Sequence, residues 1–246
     1  MSRSGTKVPL PAMVMAAGLG NRMRPVTDTR PKPLVTVAGR TLLDHALDRL
    51  KEAGIRQAVV NVHYLADQIE THLAGYEGLS IVISDERDQL LETGGGVLRA
   101  LPRLGAEFLV MNSDSLWLER GTRNLSRLID AWDPVRMDIL LLLAPITRTL
   151  GYEGRGDLHM ASDSRLGRRE PGGSAPYVYA GVGIMKAALF AGGEPLPEGP
   201  FSLNLLFDRA IAAERLYGLE LDGEWLHVGT PAAIRAAEER IATAAP

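Results

Sequence analysis

Residues 12–34 read AMVMAAGLGNRMRPVTDTRPKPL: an apolar run, two glycines, then three arginines and a lysine set among prolines. The run Ala12–Ala17 is short and apolar on both faces, which predicts a buried strand, and Gly18 ends it. Glycines directly after a strand leave backbone N–H groups uncovered at the sheet's carboxyl edge, where they can surround a polyphosphate. Arg22 and Arg24 add fork-shaped donors suited to phosphate oxygens. Lys32 lies between Pro31 and Pro33, whose fixed φ angles stiffen the backbone that carries its ammonium group. Taken alone, a glycine pair after a strand equally describes a tight turn.

Outward from this stretch, strand and helix alternate. Thr41–Ala53 carries Leu42, Leu43, Ala46, Leu47 and Leu50 at helical spacing, and Gly54 stops it. Strands are predicted at Ala58–Val62, Leu79–Ile83, Glu107–Met111 and Asp138–Leu143, with helices over Leu65–Leu73 and from Gly96 to Leu101. Strands apolar on both faces belong to a parallel sheet covered by helices, so the expected class is α/β, three layers around a mostly parallel central sheet. The pattern weakens after residue 145. Gly151–Ser174 is rich in Gly, Arg, Asp and Ser, followed by a strand at Tyr177–Met185 and helices at Leu203–Ala213 and Pro231–Ala242. A single domain over residues 10–246 is expected, with a first part at 10–145 and a smaller part at 146–230 that does not fold alone.

The 246 residues are 46% hydrophobic, enough for a sizeable core, and carry a net charge of −3. No basic face is forced on the molecule, so neither nucleic acid nor an anionic membrane is an expected partner. The absence of cysteine removes disulfides, thiolate catalysis and Cys-ligated metal sites, and fits a cytoplasmic location. Pro9 and Pro11 interrupt the N-terminal stretch before it can form a signal-peptide core, and no window reaches the roughly 18 apolar residues of a membrane span.

Two phosphate motifs fail. No Gly-Lys-Ser/Thr occurs, and Met23 stands where the dinucleotide fingerprint needs its third glycine. The complete segment instead resembles the signature of the sugar-phosphate nucleotidyltransferases, or NDP-sugar pyrophosphorylases. That signature is a glycine pair, Thr/Asn-Arg-Leu/Met-x-Pro, Thr, and Pro-Lys-Pro-Leu. It is matched by Gly18, Gly20, Asn21, Arg22, Met23, Pro25, Thr27, Pro31, Lys32, Pro33 and Leu34, and the resemblance extends over nearly the whole chain. It implies a Rossmann-like nucleotidyltransferase fold with a small sugar-binding subdomain. It also implies that the backbone from Ala16 and Ala17 through Gly18, Gly20 and Asn21 holds a nucleoside triphosphate, that Arg22 steadies the leaving pyrophosphate, and that Lys32 bridges the α-phosphate and an incoming sugar phosphate.

Glu92-Thr93-Gly94-Gly95-Gly96 precedes a predicted helix, whose N-terminus favours anions. The resemblance implies that Thr93, Gly94 and Gly95 lie against base and ribose and that Glu86 helps read the base; the plain alternative is a turn that starts a helix. The spelling LLETGGGVLRAL resembles one branch of the family, the N-acetylmuramate α-1-phosphate uridylyltransferases of cell-wall recycling, which makes UTP the favoured nucleotide. Asn112-Ser113-Asp114 follows a predicted strand, where a carboxylate is placed to hold a hard cation against phosphates. The family usually has Gly-Asp here, the Asp being a metal ligand, and Ser113 replaces the Gly. Trp225-Leu226-His227-Val228-Gly229-Thr230 resembles the family's Trp-x-Asp-Val-Gly-Thr, in which the Asp is the second metal ligand.

His227 departs from that pattern, because Mg²⁺ prefers oxygen while imidazole suits softer divalent ions. Three readings stand open: Mg²⁺ held by Asp114 and phosphates, Mn²⁺ or Co²⁺ with His227 as ligand, or His227 bound to substrate phosphate. On the sugar side the resemblance implies roles for Asn112, Gly156, Asp157, Tyr179 and Gly181. The family's Glu-Lys-Pro motif is absent, and Arg168-Arg169-Glu170-Pro171 reads as a solvated loop or as a partner for a lactyl carboxylate. Tyr152 and Trp117 read as packing residues.

The expected reaction joins N-acetylmuramate 1-phosphate to UTP and releases pyrophosphate. Mannose 1-phosphate with GTP, or glucose 1-phosphate with dTTP or UTP, are alternatives within the class. A non-catalytic nucleotide-sugar sensor is the alternative outside it, motivated by His227. Nothing after the last predicted helix suggests a β-helix acyltransferase, and a monomer or small homo-oligomer is expected.

Overall fold

The computed structural model describes residues 10–244. Pro9, used above to argue against a signal-peptide core, and the last two residues of the expected domain lie outside the described residues. Strand β1 (Ala12–Met15) leads into the glycine loop, and β2 (Thr36–Val37) and β3 (Arg40–Thr41) form a short hairpin. There follow α1 (Leu42–Glu52), β4 (Gln57–Val62), α2 (Ala66–Ala74), β5 (Ser80–Asp85), α3 (Glu92–Ala100), β6 (Glu107–Asn112), β7 (Ser115–Glu119) and α4 (Asn124–Ala131). Then come β8 (Ile139–Pro145), β9 (Thr149–Leu150), β10 (Leu158–Met160), β11 (Leu166–Arg168), β12 (Tyr177–Lys186), α5 (Asn204–Ala212), β13 (Leu216–Glu220), β14 (Gly223–His227) and α6 (Pro231–Ala244).

The central sheet runs β13-β8-β12-β6-β1-β4-β5, with the β10–β11 hairpin attached to the start of β12. β1 pairs in parallel with β4 and β6, β4 with β5, and β8 with β13. β12 is antiparallel to both of its neighbours, β6 and β8. Side chains alternate between the faces, so each strand feeds two cores. Val14, Val60, Met111 and Leu142 join the helices α1, α2 and α4 on one face. Met13, Val59, Val110 and Leu141 join α3 and α5 on the other. Burial on both faces is why the strands read as continuous apolar runs. The three-layer, mostly parallel α/β architecture expected from the sequence is the one found.

A separate three-stranded sheet, β7-β14-β9, lies beside the central one. β7 and β14 pair antiparallel, which sets His227 opposite Ser115. A third apolar cluster of Met23, Val35, Val37, Leu226, Val228 and Ala237 fastens the glycine loop and α6 to this sheet. Helix α3 begins at Glu92, four residues before the predicted start, because the glycines are part of its first turns. Among the described residues no helix is long and apolar enough to cross a membrane.

Candidate active site

A cavity of about 410 Å³ opens at the carboxyl edge of β1, β4 and β6. Ala16, Ala17, Gly18 and Gly20 form one wall of it. Among the described residues, the N–H groups of Ala17, Gly18, Leu19 and Gly20 meet no acceptor in the protein, the arrangement an anion needs. Gly20 has φ +67°, and a Cβ there would come within 3.0 Å of Thr27 and 3.1 Å of Lys32. Only glycine fits so close a turn without strain. The buried Thr27 hydroxyl donates to the Gly20 carbonyl at 2.8 Å, and the Tyr64 hydroxyl donates to the Thr27 carbonyl at 2.9 Å. The loop is therefore held in shape by its own protein contacts.

Lys32 and Asp114 also line the cavity, and the Lys32 ammonium pairs with Asp114 Oδ2. Asp114 occupies the tight turn between β6 and β7, at the sheet's carboxyl edge. His227 ends β14 beside this turn. Burial pulls its imidazole below the ordinary histidine value. Asp114 opposes that pull, and Lys32 and Arg22 reinforce it. At neutral pH the ring is uncharged and carries a free lone pair.

Arg22 is exposed and lies outside the main cavity wall, as does Asn21. With His227, Gly229 and Tyr152 it lines an adjoining pocket of about 510 Å³. A Cβ on Gly229 would stand 2.7 Å from His227 Nε2 and 3.5 Å from Arg22, so both groups close on one glycine. Trp225, His227 and Tyr152 pack together, with ring centroids 5.0 Å and 6.2 Å from His227 to its two neighbours.

At the other end of the cavity Glu86 is fully buried. Its carboxylate accepts from Asn61 Nδ2 at 2.8 Å and from the Leu91 N–H at 3.3 Å. Burial raises its pKa, and the two donors and the more distant Arg99 oppose the rise. Thr93 and Glu92 line the wall, and Glu92 carries a φ of +58°, a strained conformation for a residue with a side chain. Gly94 and Gly95 are not on the wall. Their N–H groups donate to the Phe201 carbonyl at 2.7 and 3.2 Å, so these two of the first four amides of α3 are satisfied. The two glycine amides are therefore already engaged, and Gly94 admits the Phe201 ring, which a Cβ there would meet at 2.4 Å.

On the sugar side Asn112 lines the cavity. Gly181, with φ +79°, stands behind it, since a Cβ there would strike Ser115 Oγ and Asn112 Nδ2. Gly156, Asp157 and Tyr179 are not brought to the wall. The Gly156 N–H donates to the Tyr152 hydroxyl, Asp157 accepts from the Tyr179 N–H, and the Tyr179 ring packs edge-on against Phe207 at 5.5 Å. Arg168 is engaged by Asp208 and Asn204, and Arg169 by the carbonyls of Gly156 and Gly173, which holds the loop together. Trp117 is fully buried beneath Arg49, a packing residue. Sequence reasoning missed Asn61, Leu90 and Ser202 on the cavity wall. Asn61 had a signal, a lone polar residue inside the apolar strand AVVNV.

Among the described residues no three His, Asp or Glu side chains gather into a metal cluster. Asp114 and His227 still suit a cation shared with a substrate. Lys32 takes one oxygen of Asp114 and leaves the other, and Mg²⁺ is commonly held by one or two protein carboxylates together with water and phosphate oxygens.

Residues 12–168 match the model of the MobA-like NTP transferase domain. The chain is 49% identical over 244 residues to an N-acetylmuramate α-1-phosphate uridylyltransferase of Caulobacter vibrioides, covering 97% of this chain and all of that one. It is 35% identical to the enzyme of the same name from Neisseria meningitidis over 230 residues, 92% of this chain and 96% of the other. Among solved structures, a UDP-glucose pyrophosphorylase from Acinetobacter baumanii superposes with a TM-score of 0.78 at 19% identity, covering 97% and 95% of the two chains, which supports the fold. With a domain model over more than half its length and a relative matched from end to end, the chain belongs to the MobA-like NTP transferase family.

Proposed function

We propose that this protein transfers the uridylyl group of UTP to N-acetylmuramate α-1-phosphate, releasing pyrophosphate and UDP-N-acetylmuramate. The observation that carries the reading is the Lys32–Asp114 pair facing a loop of unfilled backbone amides across one cavity. The relatives from Caulobacter and Neisseria, named for this reaction, supply the choice of base and sugar.

The reaction is an in-line displacement. A phosphate oxygen of the sugar 1-phosphate bonds to the α-phosphorus of UTP, the bond from that phosphorus to the bridging oxygen breaks, and pyrophosphate leaves with the electron pair. No covalent enzyme intermediate is needed. The main obstacle is the mutual repulsion of two polyanions, so the protein's contribution is positioning and neutralisation. The amides of Ala17 to Gly20 bind the triphosphate, and Lys32 sits between the α-phosphate and the incoming phosphate. Arg22, at the mouth of the adjoining pocket, steadies the departing pyrophosphate. A divalent cation on Asp114, with the neutral His227 beside it, would neutralise further charge at the reacting phosphates.

The test is pyrophosphate release from a matrix of four sugar 1-phosphates (N-acetylmuramate, glucose, mannose and N-acetylglucosamine) and four nucleoside triphosphates, with Mg²⁺ and Mn²⁺ assayed separately. The expected signal is UTP with N-acetylmuramate 1-phosphate. A stronger signal elsewhere replaces the substrates and keeps the reaction. Silence in every combination with nucleotide binding intact makes the protein a sensor.

A further inference from the structure

Asn61 is 1% exposed at the carboxyl end of β4, in register with Met15 of β1 and Ser84 of β5. A primary amide in so apolar a strand is tolerated only when it is fully bonded. Its Oδ1 accepts the Ala16 N–H at 2.6 Å, and its Nδ2 donates to Glu86 Oε1 at 2.8 Å. The second Glu86 oxygen accepts the Leu91 N–H. The connections after β1 and β5 are thus tied, through the end of β4, by one buried chain of bonds. Helix α3 leaves room for it: a Cβ on Gly96 would lie 2.7 Å from Glu86 Oε1 and 2.9 Å from Asn61 Nδ2. Ala16 immediately precedes the four unfilled amides. The bond from its N–H to Asn61 anchors the chain where the glycine loop begins.

We propose that Asn61 is a positioning residue for the nucleotide: braced against Glu86, it holds the glycine loop in the geometry that receives the triphosphate. The proposal rests on the uridylyltransferase reading. In Asn61→Asp the donor to Glu86 is lost and two carboxylates face each other. The double variant N61D/E86Q exchanges the two functional groups. Its new carboxylate accepts from Ala16 and from the new side-chain amide, whose oxygen accepts from Leu91. Every donor again has an acceptor, and the net charge is that of the wild type.

The experiment is calorimetric binding of UTP to wild type, N61D and N61D/E86Q, with KM for UTP and for the sugar 1-phosphate measured separately and folding checked by thermal unfolding. N61D should weaken UTP binding by about tenfold or more, the scale of one lost charge-assisted bond, while the KM for the sugar 1-phosphate stays within about threefold. The double variant should recover UTP binding to within about threefold of wild type. Unchanged UTP binding in N61D overturns the proposal. So does a folded N61D/E86Q that binds as poorly as N61D, because Glu86 would then act by direct contact and not through the brace. Where N61D alone does not fold, the double variant decides. A wild type that binds a different nucleotide and not UTP overturns the uridylyl reading alone, and the same three proteins are then compared on that nucleotide.

Discussion

Lys32 reaches Asp114 across 82 positions of sequence, and its side chain is only 13% exposed where it does so. An ammonium group that well buried is held for its charge, since a solvated surface pair contributes little. Lys32→Ala and Asp114→Ala should each lower kcat by on the order of 100-fold or more with the fold retained, as measured by pyrophosphate release and circular dichroism. Near-normal turnover in either variant would end its assigned role. His227 poses a different question at the same scale. Its uncharged nitrogen suits Mn²⁺ or Co²⁺ better than Mg²⁺. Replacing it by a carboxylate, as in the Trp-x-Asp-Val-Gly-Thr motif that this stretch resembles, His227→Asp should raise activity with Mg²⁺ relative to Mn²⁺. An unchanged metal ratio would remove His227 from the ligand set.

At the scale of the element, α3 is built around its glycines. Gly94 and Gly95 send their amides to Phe201, and Gly94 leaves the space its ring fills. Gly94→Ala should destabilise the fold by about 1–3 kcal/mol, the usual cost of overpacking, and be read as a lowered denaturation midpoint. The same element shows where sequence reading stops. The ETGGG stretch was visible, but a glycine needed for close packing and a glycine needed for a bound group look alike until the Phe201 partner is known. Long periodic elements were legible: α1 from its leucines and β4, β6 and β8 from their apolar runs. The β7-β14-β9 sheet was not, because its strands are two to five residues long and pair between distant parts of the chain. Lys32 and Asp114 were legible through the Pro-Lys-Pro and Asn-Ser-Asp spellings, whereas Leu90 and Ser202 reach the cavity only through the path of their loops.

Across the whole molecule, the chain's second part does not stand apart from the first. β12 lies between β6 and β8, and β14 pairs with β7. Pulling out either part would expose unpaired strands, so chemical denaturation should show one transition, coincident by tryptophan fluorescence and far-ultraviolet circular dichroism. Two separated transitions would mean two independent units. Asp138 ties the same junction electrostatically. It precedes β8 and bonds Lys186 at the end of β12 at 2.8 Å and Arg215 before β13 at 2.9 Å. Burial pushes this carboxyl up, but the bonds from Arg215 and Lys186 outweigh burial and hold it below the usual carboxylate range. A carboxyl whose folded value is lowered stabilises the fold above its unfolded pKa, and that contribution fades as the pH falls through the folded value. Asp138→Asn should therefore cost about 1–3 kcal/mol near pH 7, and the gap to wild type should shrink steadily below about pH 4. A gap that stays constant with pH would show that shape, and not charge, is what Asp138 contributes at the junction of the two parts.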